Sequence, residues 1–318
     1  MLLLIASVLL AAAPPPPIVV SGATGRVGAA VVRSLLARRG DSQSSGVFVL
    51  TRDAEKAAAM HGPGVECLEA AYDDADALRA AFASMPAGGF RLFLACSNQP
   101  AQATLETNVC QAAQQAGCTY VVKLSTASQV LEMKSGGPYA AHLEVEALLR
   151  ELALPHAVLR PNLFMDEVTR GSFLGVFGAL RAADECTHPF ADAPISVVDV
   201  RDVAACAAAL LSADAPDPTV GRLYDVTGPE AIRLGDALAR AVSEHRGRPV
   251  AITPCSVDAF LEPRGLPPAA AASLGGFLAV LAAKCGAVTS VVEELTGAPP
   301  RSVRDFVRDH AEEVQRDS

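Results

Sequence analysis

The chain has 318 residues, a formal net charge of −9 and a hydrophobic content of 51%. That length suits one large domain or a domain with a smaller lobe, and the apolar content is enough for a sizeable core. The acidic balance, the lack of a basic stripe and an aromatic content of only 5% argue against nucleic-acid binding, which needs phosphate neutralisation and stacking platforms. In chain order, the first feature is the apolar run "MLLLIASVLLAAA" (1–13). It is too short to cross a bilayer as a helix, so no stable membrane span is expected. It resembles the h-region and small-residue end of a signal peptide, but no Lys or Arg precedes it and "PPPP" (14–17) follows. A plastid-type presequence and a gene-model artefact are the other readings, and residues 1–16 are set apart from the fold as a possible targeting segment. The eight cysteines are dispersed, mostly in apolar segments, without C-x-x-C or paired Cys/His spacing. They read as reduced thiols in a reducing, cytoplasmic setting and offer no metal site.

Beyond residue 17, apolar runs alternate with helical patterns. The strand-like runs are 18–22, 47–50, 65–70, 90–95 and 119–125, and the helical ones lie at about 26–39, 53–60, 75–84 and 102–116. A further helix at about 138–152 leads into a sixth strand, 156–161. This rhythm implies parallel pairing with right-handed crossovers, and nearly all-apolar strands imply helices on both sheet faces. The expected fold is α/β, a Rossmann doubly wound parallel sheet over 17–190, followed by a small α/β substrate lobe over 191–318, partly interleaved with the core. In that second half, 195–212 reads as a short strand and a helix capped by Asp199 or Asp202. Residues 222–228 read as a strand, 231–247 as an amphipathic helix ending at Gly247, 249–253 as a strand, and the remainder as helical with a break at 262–268.

The first strand–helix junction reads "VVSGATGRVGAAVV" (19–32), with glycines at G-x-x-G-x-x-G spacing. Alone this is a weak signal, but here it follows a strand and opens a helix in the first βαβ unit. Gly22 suits a tight turn, Gly25 close approach of backbone to a pyrophosphate, and Gly28 close packing of helix on strand. Thr24, Arg26 and Val27 would border the phosphates at the helix N-terminus. The bland alternative is a strand–helix turn without a ligand. At the end of the second strand, "VLTRD" (49–53) places Arg52 where a 2′-phosphate would be gripped, so NADP(H) is expected over NAD(H), the latter remaining possible. Arg52 could equally be a surface arginine, and Asp53 either borders the ribose or caps the next helix. Cys96, Ser97 and Asn98 follow the fourth strand, at the cofactor edge, where their backbone would neighbour the ribose.

The set "SGATGRVG", "LTRD", "KLST" (123–126), "HLEVE" (142–146), "VLRPNLFMDE" (158–167), "ISVVDVRDVA" (195–204) and "YDVTGPEAI" (224–232) resembles the NmrA-like, atypical branch of the short-chain dehydrogenase/reductases, from about Ile18 to about residue 310. The resemblance implies a Rossmann core binding NAD(P) and a small carboxyl-terminal substrate lobe. It also implies one of two activities: an NADPH-dependent quinone or dye reductase acting on a small molecule, or a redox-sensing regulator that binds a partner protein. One departure concerns the adenine pocket. Related chains carry Asp where this one has Ala71, leaving Asp73 or Asp74 to substitute or to cap the following helix.

Carbonyl reduction in this superfamily uses a Tyr acid with a Lys four residues later and a Ser. Ser125 and Tyr139 have the usual separation, but four residues beyond Tyr139 stands Leu143, so nothing evident lowers the phenol from about 10. His142 is the candidate proton donor or carbonyl contact, with Glu146 one turn on to orient the ring or merely to pair with it on a helix surface. Lys123 shares a strand face with Ser125 and is either a ribose or substrate contact or a strand-end surface lysine. Pro161 would border the nicotinamide, and Asn162 and Phe164 would line the substrate pocket or serve turn and packing roles. Quinone reduction asks less of a protein than carbonyl reduction, because the acceptor is already electrophilic and positioning supplies much of the rate.

Overall fold

The computed structural model describes residues 15–39, 46–132, 139–171, 173–214, 216 and 220–315. The apolar run 1–13 lies outside the described residues, as does residue 138 at the expected start of a helix. The first half alternates strand and helix: β1 (Ile18–Ser21), α1 (Arg26–Arg39), β2 (Val47–Thr51), α2 (Ala54–His61), β3 (Glu66–Glu69), α3 (Ala75–Ala83), β4 (Phe90–Leu94), α4 (Gln102–Gln115), β5 (Cys118–Leu124), the short α5 (Ser128–Leu131), α6 (Ala140–Glu151) and β6 (His156–Pro161). The second half runs α7 (Met165–Thr169), α8 (Phe177–Ala182), β7 (Glu185–His188), β8 (Pro194–Ile195), α9 (Val200–Ser212), β9 (Val220–Val226), β10 (Ile232–Arg233), α10 (Leu234–Arg246), β11 (Ala251–Pro254), α11 (Val257–Leu261), α12 (Pro268–Lys284), α13 (Val291–Thr296) and α14 (Val303–Asp309).

Seven strands form one parallel sheet in the order β3-β2-β1-β4-β5-β6-β9. The order reverses between β1 and β4, the switch point at which a doubly wound sheet opens a crevice beyond its strand ends. Because all the strands run the same way, the residues that follow β1 to β6 collect along one edge. The sheet is covered on both sides. On one face Val20, Val49, Phe93 and Val122 pack against α1, α9 and α13; on the other Val19, Leu50, Leu92 and Val121 pack against α3, α4 and α6.

The two halves of the chain interleave. β9 is the last strand of the main sheet and α9 packs on α1, so part of the second half completes the Rossmann core. A second core gathers Ala127, Val130, Leu163 and Met165 with α10, α11, α12 and α14. Its first members follow directly on β5 and β6, so this lobe stands at the carboxyl edge of the sheet. Within it β7 pairs in parallel with β11, which the sequence pattern did not single out because β7 reads "ECTH", without alternation or a long apolar run. Asp199 is the residue that caps α9, accepting from Arg201 N at 2.7 Å, while Asp202 instead accepts from Arg301 N at 2.7 Å. Among the described residues no helix is long and apolar enough to cross a membrane, and no cluster of three or more His, Cys, Asp or Glu could hold a metal ion.

Candidate functional site

The loop after β1 is built from close backbone contacts. Ser21 Oγ lies 3.0 Å from the carbonyls of both Phe93 and Ala95 and accepts from Ala95 N at 2.8 Å, which ties the end of β1 to the end of β4. Gly22 has φ +62°, and a Cβ there would lie 2.9 Å from Ala95 O. At Gly28 a Cβ would meet Gly22 O at 2.2 Å, so α1 can approach β1 only with glycine in that place. Gly25 is exposed and its nearest neighbour would be Gly22 O at 3.2 Å, which leaves its outer side open. The first turn of α1 carries no acidic residue, so nothing there repels an anion from its N–H groups. Thr24 and Val27 are half-buried beside the loop. Arg26 is exposed and ion-paired with Glu167 of α7, across the crevice.

One residue that closes on this loop from the end of β3 had no sequence signal. The Tyr72 hydroxyl accepts from Gly22 N at 2.7 Å, and burial pushes its pKa up to about 12, so it stays a neutral phenol. Only the sheet order, which brings the end of β3 within reach of the end of β1, could have found it. Farther along the edge Arg52 is exposed directly after β2, while Asp53 caps α2 by accepting from Lys56 N at 2.8 Å. Asp74 caps α3, accepting from Ala77 N at 2.9 Å, and Asp73 stands exposed beside it. After β4, Cys96 is half-buried and Ser97 and Asn98 are exposed; the Gln99 amide donates to Ser97 Oγ at 3.1 Å.

The ends of β5 and α6 hold two buried polar groups side by side. In the first, Lys123 and Glu106 are both 0% exposed and ion-paired at 3.0 Å. Lys123 is therefore not a surface lysine. Its Nζ also donates to Leu124 O and lies 3.3 Å from His142 Nδ1, which the Gln102 amide nitrogen approaches at 3.3 Å from the other side. His142 is only 4% exposed. Burial first, and the Lys123 charge second, hold its pKa down to about 2, so it does not titrate near neutrality as its position in the sequence suggested.

In the second group Glu146 is gripped by Arg160 through Nε at 3.2 Å and Nη2 at 2.5 Å, and accepts from Ser125 Oγ at 2.7 Å. Glu146 is thus spent on Arg160 and Ser125, and it does not orient the His142 ring. Arg160 also donates to Ser128 Oγ at 3.1 Å, which donates to Asp225 at 2.5 Å, joining β6, α5 and β9. Tyr139 stacks on Phe277 with ring centroids 4.8 Å apart, and burial pushes its hydroxyl up to about 12. Pro161 is buried at the end of β6. Asn162 donates to Ser196 Oγ and Cys285 O, each at 2.8 Å, and accepts from Leu163 N at 2.7 Å, which gives it the turn-and-packing role. Phe164 is half-buried, bridges to Val198 and packs on the main core.

The family model described as the NmrA-like family matches residues 16–277. The chain belongs to the NmrA-like family. A similar chain from Streptomyces griseus, a (4-alkanoyl-5-oxo-2,5-dihydrofuran-3-yl)methyl phosphate reductase, is 33% identical over 92% of this chain and 97% of its own length. The NAD(P)H azoreductase of Xenophilus azovorans is 27% identical over 92% of this chain and 97% of its own. Among solved structures, the NADPH complex of Escherichia coli quinone oxidoreductase QOR2 matches with a TM-score of 0.76 at 23% identity, covering 92% of this chain and 99% of that one. The Citrobacter triphenylmethane reductase complexed with NADP(H) matches with a TM-score of 0.75 at 22% identity, with the same coverage. These structural matches agree with the Rossmann architecture of the NmrA-like sheet.

Proposed function

We propose that this chain is an NADPH-dependent oxidoreductase that delivers a hydride to a quinone-like or other small conjugated acceptor. The observation that carries the reading is the loop Gly22–Gly28: it is closed against the Ala95 backbone at Gly22 and against its own backbone at Gly28, and open at Gly25, as a pyrophosphate cradle requires. Arg52, exposed at the end of the neighbouring strand, supplies the cation for a 2′-phosphate. Sequence relatives matched along nearly their whole length carry reductase names, which supports the same reading.

When bound, the reduced nicotinamide supplies the hydride. The protein's part is positional. The glycine loop and the first turn of α1 would hold the phosphates, Cys96, Ser97 and Asn98 would line the adjoining edge, and Ser125 after β5, Pro161 at the end of β6 and His142 in the first turn of α6 would border the acceptor. Ser125 has its O–H committed to Glu146, so toward a ligand it offers lone pairs only. Tyr139 has no cation to help it act as an acid. A quinone tolerates this, because orientation over the ring supplies much of its rate.

A second reading is favoured by the same chemistry: with Tyr139 and His142 both unsuited to proton transfer at neutral pH, the fold would also serve as a non-catalytic NAD(P) sensor that binds a partner protein. Titration of the full chain with NADPH and NADH, followed by a quinone panel in the same cuvette, separates the two. Tight NADPH binding with steady oxidation is the expected result. Tight binding without turnover at any enzyme concentration establishes the sensor, and no binding of either nucleotide overturns both.

A further inference from the structure

The donors around Lys123 are fully committed. An ammonium has three N–H bonds and no lone pair. One points to Glu106 Oε1 at 3.0 Å, one to the Leu124 carbonyl, and the third to His142 Nδ1 at 3.3 Å. Lys123 therefore has nothing left for a ribose or a substrate, and Nδ1 of His142 faces an obligate donor. A ring nitrogen in that position has to present its lone pair, which leaves the single proton of the neutral imidazole on Nε2. The lysine imposes this alone, whichever way the Gln102 amide is turned. Gln102 and Glu106 lie one turn apart on α4 and face the same point, while Glu146, on the helix of His142 itself, is engaged by Arg160 and Ser125.

We propose that Lys123, braced by Glu106 and assisted by Gln102, is a positioning residue that locks His142 as the neutral Nε2–H tautomer, so that His142 serves a bound acceptor as a fixed hydrogen-bond donor and not as a proton-transferring acid or base. The role toward an acceptor rests on the reductase reading; the tautomer does not. In that role the acceptor takes two electrons and one hydrogen as hydride from the reduced nicotinamide. Its oxygen gains negative charge, which the Nε2–H stabilises, and its second hydrogen arrives as a proton from water. A preset neutral donor of this kind costs no reorganisation as the charge develops.

The test is a long-range proton–nitrogen correlation spectrum of the full chain labelled with nitrogen-15 histidine, without nucleotide, from about pH 5 to about pH 9, the range in which an ordinary imidazole titrates. His142→Gln identifies the signal among the six histidines. The expected signal has an unprotonated Nδ1 and a protonated Nε2, in excess of the other tautomer by at least about tenfold, and does not move with pH. A protonated Nδ1, or a midpoint within that range, overturns the proposal. The paired variant Lys123→Met with Glu106→Gln removes both charges together and so avoids stranding one of them. It should let both tautomers appear while burial still keeps the ring neutral; a signal identical to the parent's shows that Lys123 is not the lock. Gln102→Leu should leave Nε2–H dominant. Because no step needs nucleotide or turnover, failure of the tautomer prediction and failure of the reductase reading are told apart.

Discussion

Arg52 and Glu146 are two kinds of charge, one exposed at a strand end and one already spent on Arg160 and Ser125. Arg52 is exposed at the end of β2, so its removal should leave stability alone and weaken NADPH by about 10- to 100-fold, the worth of a charge-assisted contact, with little effect on NADH. Equal losses for both nucleotides in a fluorescence titration would remove Arg52 from the 2′-phosphate site. Glu146 is 1% exposed and Arg160 14%, so Glu146→Ala strands a half-hidden guanidinium. Chemical denaturation should show a loss of about 3 kcal/mol, as for other broken buried pairs, and Glu146→Gln a smaller one. The sequence brought His142 and Glu146 together because they are one helical turn apart. The structure separates them because Arg160 arrives from β6, a partner that helical spacing cannot reveal.

At the scale of elements, the junction of β1 with α1 is tightly constrained. Gly28→Ala would drive a methyl to 2.2 Å from Gly22 O, a backbone atom that cannot swing aside. It should cost about 3 kcal/mol, the upper end of overpacking, despite the better helix propensity of alanine. Gly25→Ala meets only Gly22 O at 3.2 Å and lies on the open side. It should keep most of the stability and lose nucleotide affinity, which thermal melts with and without NADPH would show. The bridge from Arg26 on α1 to Glu167 on α7 is exposed at both ends, so Glu167→Ala should change stability by less than about 1 kcal/mol. It should also release Arg26 toward the phosphates, leaving NADPH binding equal or tighter; weaker binding would show that the bridge itself shapes the crevice.

For the whole molecule, buried histidines contribute to the response to acid. Burial holds His142 down to about 2 and His188 to about 4. In the unfolded chain both return to about 6.5, so it is the unfolded state that gains protons first as pH falls. Stability from these two residues is complete above about pH 6.5 and declines below it, by about 1.4 kcal/mol per pH unit for each histidine. The decline ends near pH 4 for His188 and continues lower for His142. Denaturant midpoints at a series of pH values should show this slope, and His142→Gln should reduce it by about one proton.

Apart from the short α5, the order of strands and helices through β6, the glycine junction and the α/β class were legible in the sequence, because each is written in local periodicity or in short spacing along the chain. So were the capping options at Asp53, Asp74 and Asp199, each placed just ahead of an apolar helical run. The sequence by itself therefore determined a doubly wound sheet with a close-packed glycine junction after its first strand. What the tertiary structure alone decided is what each polar residue at the edge is bound to. Tyr72 reaches Gly22, Lys123 meets Glu106, Arg160 takes Glu146 and Asn162 ties the second lobe through Cys285. These partners are far apart in the chain or on different elements, and they come together only because parallel strands deliver their ends to one line, where burial penalises a polar group left without a partner.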